Sequence, residues 1–123
     1  MPLSEIETFY KQTPLTKTNA LLQAKLAEIY QSQGKIFAAV APYEAALKLP
    51  AFPLEKLRIG LTAGALFSSL GRTEQAYQTY KDLIENYPNY PGKKDLYERL
   101  SGVAEKLNKK DEATENLRLS RES

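Results

Sequence analysis

Two pairs of carboxylates, Asp82 with Glu85 and Asp111 with Glu115, are spaced for acid–base work. Three- and four-residue separations put each pair on one face of a helix. Both sit among polar neighbours, as a solvated helix surface does. The chain has no histidine and no cysteine. The first absence removes the commonest general base and every Ser-His or Cys-His nucleophile. The second removes thiolate metal ligation and any disulfide framework. There is no G-x-x-x-x-G-K and no G-x-G-x-x-G segment to cradle a phosphate. The sequence therefore predicts no enzyme, no cofactor and no metal.

The segment GKKDLYERLSGVAEKLNKK carries six basic and three acidic residues but only one tyrosine. A nucleic-acid surface would show a more continuous basic face with several aromatics for stacking. Over the whole chain, 17 basic residues against 15 acidic ones leave a formal charge of +2. That balance gives no argument for nucleic acid or for a membrane. The longest apolar run, IFAAVA, is far short of a membrane span. The opening MPLSEIETFYKQ lacks the basic and apolar blocks of a signal peptide. A cytoplasmic location is expected, unless the chain is excised from a longer protein.

The elements that would carry these residues follow from internal repetition. Gly34, Gly71 and Asn108 recur at a spacing of 37 residues. Around them recur Leu26, Ala63 and Leu100; the small residues Ala27, Gly64 and Ser101; Tyr30, Phe67 and Ala104; Ala39, Ala76 and Ala113; and Tyr43, Tyr80 and Leu117. Leu22, Leu26, Ile29 and Tyr30 make one stripe at helical spacing, and Ile36, Ala39, Tyr43, Ala46 and Leu47 make the next. A residue tolerant of positive φ stands between them, so each repeat reads as two antiparallel helices joined by a tight turn. Alanine permits close helix contact, the aromatic fills the gap, and Pro50 or Pro88 ends the pair.

This pattern resembles the tetratricopeptide repeat (TPR) family over about residues 20–120. The resemblance is carried by Leu26, Ala27, Tyr30, Gly34, Ala39, Tyr43, Ala46 and Pro50, and again by Gly64, Phe67, Gly71, Ala76, Tyr80, Leu83 and Pro88. A third copy retains Tyr97, Leu100, Ser101, Ala113 and Leu117. It implies an all-α fold: a right-handed superhelix of three helix-turn-helix repeats, an α-solenoid, at about 20–53, 57–91 and 94–123. Residues 1–19 would form an N-terminal segment with a short helix over about 5–12, where Ser4 and Glu7 have capping-box spacing and Pro14 ends the helix.

Three features depart from the family. The period is 37 residues rather than about 34, with the surplus in the links PAFP and PNYP. Phe52 and Tyr90 of those links are expected to pack back on neighbouring helices. Pro42 falls inside the second helix and predicts a kink or a late helix start. Gly60 and Gly64, one turn apart, are expected to admit close packing of the helix before them. Tyr43 and Tyr80 match core positions, whereas Tyr77 and Tyr87 are expected to be exposed.

In the family, the first helix of each pair lines a groove that holds a partner peptide or helix. The corresponding candidates are Ala24, Glu28 and Gln31; Arg58, Leu61, Ala65 and Ser68; and Asp95, Glu98 and Arg99, with Leu21, Gly102, Glu105 and Lys106 nearby. The carboxylate clamp of the chaperone-binding members is not reproduced. Its places hold Ala24, Glu28, Thr62, Asp95 and Arg99, of which only Arg99 fits. The resemblance implies a protein-interaction module, an adaptor, scaffold or assembly factor whose partner is another protein or peptide. One alternative is a self-associating structural repeat forming a homodimer. The endings PYEAALKLPAFP and DLIENYPNYP also resemble TPR proteins of bacterial envelope assembly, and an enzyme fragment is the remaining reading.

Overall fold

Residues 19–123 are described by a computed structural model. They form α1 (Ala20–Ser32), a 3₁₀ turn (Phe37–Ala39), α2 (Val40–Lys48), α3 (Pro53–Ser69), α4 (Thr73–Asn86), α5 (Lys93–Lys106) and α6 (Lys110–Arg121). No strand occurs among the described residues. The short helix expected over 5–12 lies outside them. Two compact units result, one ending at Ile59 and the other running Gly60–Ser123, with the boundary inside α3.

The repeat register is visible in the backbone. Gly34 and Gly71 both adopt φ +77°, and Asn108 adopts φ +60°. After each, the next amide reaches back to the carbonyl five residues earlier: Lys35 to Tyr30 at 2.9 Å, Arg72 to Phe67 at 2.8 Å and Lys109 to Ala104 at 2.9 Å. The turn residue itself bonds three back, to Gln31, Ser68 and Glu105. This paired pattern consumes carbonyls that a helix end would leave orphaned, and it needs a residue that accepts the left-handed region.

In the first unit, the Asn19 side chain caps α1 by accepting from the Leu22 amide at 2.8 Å. Buried Leu26, Ala27, Ala39, Tyr43 and Ala46 form its core. Of the two outcomes expected for Pro42, the late start is found. The 3₁₀ turn precedes α2, and Pro42 stands third in the helix, where a missing N–H leaves no intrahelical bond unmade. The Tyr43 hydroxyl donates to Gln31 Oε1 at 2.7 Å and ties α2 to α1. The Lys56 ammonium donates to the Leu47 carbonyl at 2.8 Å and satisfies an end of α2. Gln23 is fully buried, and its amide has no hydrogen-bond partner among the described residues.

In the second unit, Gly60 and Gly64 admit close packing of the helix that follows: a Cβ on Gly60 would lie 2.7 Å from Leu83, and one on Gly64 2.5 Å from Tyr80. The large residue of α4 fills the space that the small residue of α3 leaves open. At the same register in α5, Ser101 donates its hydroxyl to the Ala113 carbonyl of α6 at 2.8 Å. On α6, Ala113 is buried, Leu117 is 41% exposed, and Ser120 is buried a turn further on. The links also differ from expectation. Phe52 is 75% exposed rather than packed back, whereas Tyr90 closes over Gly92. Both links leave the chain helix-free between α2 and α3 and between α4 and α5, as their prolines require.

Candidate protein-binding surfaces

The first helices carry the expected surface residues, and their charges are largely paired within the chain. In the first unit, Glu28 on α1 meets Arg58 on α3 at 3.7 Å, and Arg58 remains largely exposed. Gln31 is engaged by Tyr43. Leu21 is half-exposed. Ala24 is buried, so it backs this surface rather than presenting to it. In the second unit, Ala65 of α3 is exposed, with Leu61 and Ser68 half-buried on the same stripe. On α5, Asp95 and Glu98 are exposed, and Arg99 is half-buried.

Arg99 is held from two sides. Its Nε donates to Asp95 Oδ2 at 2.8 Å, and its Nη1 donates to the Tyr80 hydroxyl at 3.2 Å. The guanidinium also stands 5.7 Å from the Tyr80 ring centroid. Partial burial works against its charge, but the Tyr80 and Asp95 contacts outweigh it and raise its pKa. A partner would therefore meet a positioned, already neutralised cation. The corresponding pair Glu28–Arg58 is exposed and adds little to stability.

The expectation for Tyr77 is corrected: it is 5% exposed. Its hydroxyl donates to the Glu112 carboxylate, which joins α4 to α6. Burial, followed by this bond and the Glu112 charge, pushes the phenol from 10.0 up to about 12. The Lys81 and Lys109 ammonium groups stand 5.7 Å and 5.2 Å from its ring centroid. Tyr77, Ile84 and Leu100 line a cleft of about 370 Å³ whose exposed margin carries Glu85, Asp111 and Glu115. Three of the four carboxylates first singled out by spacing thus border one cleft, while Asp82 accepts from Gln78 on its own helix at 2.8 Å. Among the described residues, no three acidic side chains converge to hold a metal ion. Nor is any described helix long and apolar enough to cross a membrane.

A family model described as tetratricopeptide repeat matches residues 57–90. That stretch holds Gly64, Phe67, Gly71, Ala76, Tyr80, Leu83 and Pro88. No curated protein matches the chain in sequence. Among solved structures, the crystal structure of MamA matches with a TM-score of 0.70 at 19% identity over 98% of this chain. The chain spans 65% of that structure's length. At this identity the likeness shows a shared fold. The chain is a helical-repeat protein of the α-solenoid class that carries a tetratricopeptide repeat at residues 57–90, an architecture of protein-interaction modules.

Proposed function

We propose that this chain is an adaptor or assembly factor that holds a segment of a partner protein against its first helices. The observation that carries the reading is the stripe Arg58, Leu61, Ala65 and Ser68 on α3. It stays accessible on a helix whose other faces bury Leu57, Ile59, Ala63, Leu66 and Phe67. Two of its four residues are apolar, which supplies contact area without competing charge. In the second unit, Asp95, Glu98 and Arg99 on α5 are the polar members of the proposed contact set, and in the first unit Glu28 and Gln31 on α1 are its polar candidates. Because Arg99 and Arg58 already have carboxylate partners, the partner gains from them hydrogen bonds and orientation rather than a new ion pair. Leu61 and Ala65 carry the affinity.

The test is capture of partners from native lysate by the wild-type chain and by Leu61→Asp with Ala65→Asp. Neither site is fully buried, so the helix signal in circular dichroism should be retained. The reading requires that partners retained by the wild type be lost from the variant. Undiminished capture by a folded variant would contradict it. A self-associating homodimer, the alternative, is separated by sedimentation of the purified chain over a range of concentrations.

A further inference from the structure

We infer that the α1 face carrying Leu22, Leu26 and Ile29 is a docking site for the chain's own first fourteen residues, which bind it as the second helix of a further repeat. Helical spacing puts this face away from Glu28 and Gln31, so the site is separate from the first-helix surface proposed above. One period on, Leu22, Leu26 and Ile29 become Ile59, Ala63 and Leu66 of α3; two periods on, they become Leu96, Leu100 and Val103 of α5. These six are all buried. In α5 the face meets the second helix of the repeat before it, since Leu100 lines one cleft with Tyr77 and Ile84 of α4. In α1, Leu26 is buried and Leu22 and Ile29 are half-buried, yet no described helix precedes them.

Eighteen residues stand before the Asn19 cap, and they carry the register of a second helix. Leu3, Ile6, Phe9 and Tyr10 fall one period before Val40, Tyr43, Ala46 and Leu47 of α2, and two before Tyr77, Tyr80, Leu83 and Ile84 of α4. All are apolar or aromatic, and their spacing makes one helical stripe. Pro14 falls two periods before Pro88, which follows α4. Five residues join Pro14 to α1, between the four that join α2 to α3 and the six that join α4 to α5. A second copy or another protein would compete with a matching segment tethered beside the face, at an effective concentration of about millimolar. The register also assigns contacts. Tyr10 stands to Leu26 as Ile84 stands to Leu100, and Ile6 stands to Lys25 as Tyr80 stands to Arg99, whose side chains meet at 3.2 Å.

The chain has no cysteine, so one pair can be introduced alone. Lys25 is exposed, and its replacement leaves the core intact. Ile6→Cys with Lys25→Cys, treated with a short bismaleimide, should crosslink within one chain at least tenfold faster than Thr8→Cys with Lys25→Cys. Thr8 is the control because it shares its register with exposed Asp82. Adding Tyr10→Asp should remove the advantage, whereas Leu61→Asp with Ala65→Asp should leave it unchanged, which separates this site from the first-helix surface. In the wild-type chain, hydrogen exchange should show the amides of residues 7–13 slowed at least tenfold relative to the unfolded chain. Equal crosslinking of the two pairs, crosslinks that join two chains, or amides exchanging at the unfolded rate would each overturn the inference.

Discussion

Asn108 does with a side chain what Gly34 and Gly71 do without one, and that difference is measurable. All three hold positive φ in the same hydrogen-bonded turn. Asparagine tolerates this region better than other L residues but less well than glycine, so Asn108→Gly should stabilise the chain by about 0.5–1 kcal/mol. Asn108→Ala should cost about 1 kcal/mol on the same grounds, read as opposite shifts of the urea midpoint. Tyr77 offers a second test through pH. Its phenol is raised from 10.0 to about 12, so the folded state favours the protonated form. The stability this supplies is complete below pH 10.0 and is lost as pH rises through about 12. Tyr77→Phe should therefore show a shallower loss of stability over that window than the wild type, measured by denaturation at stepped pH. The turn positions were legible in the sequence because each is decided by neighbours within five residues. The burial of Tyr77 was not, because its partner Glu112 stands 35 residues away on another helix.

At the scale of the helix pair, the small residues of α3 and the large residues of α4 are one fitted surface. Gly64→Ala would place a methyl group within 2.5 Å of the buried Tyr80 ring. The expected cost is about 1–3 kcal/mol, from overpacking. Tyr80→Leu should relieve it, since the third repeat already carries Ser101 and Leu117 at these positions. The double variant should then lose less than the sum of the singles, a coupling that a double-mutant cycle in urea reads directly. Additive losses would show that the two sites do not share one contact. Ala39, Ala76 and Ala113 are all buried, and repetition in the sequence pointed to each of them. Pro42 was legible as a disturbance, and the structure resolves it as a helix that begins late rather than one that bends. The exposure of Phe52 was not legible: proline on both sides predicts a stiff link but says nothing of which way the ring between them points.

For the whole molecule, period and helical stripes were enough to identify helix-turn-helix repeats, because every repeat states the same pattern again. The surface was less legible. The sequence marks Glu28, Arg58, Asp95 and Arg99 as accessible charges, yet their pairing depends on which helices meet, and the Tyr80 bond to Arg99 spans 19 residues. The cleft beside Tyr77 is assembled from α4, α5 and α6 and has no signature in any one of them. The central claim is that a partner protein lies along the first helices. The most direct measurement places a photo-crosslinking residue at Ala65 or Glu98, both exposed, and identifies the adducts formed in native lysate. The account predicts one partner crosslinked from both positions, with the yield lost when Leu61→Asp is added. Absence of adducts at both positions, or a yield that Leu61→Asp leaves unchanged, would contradict it.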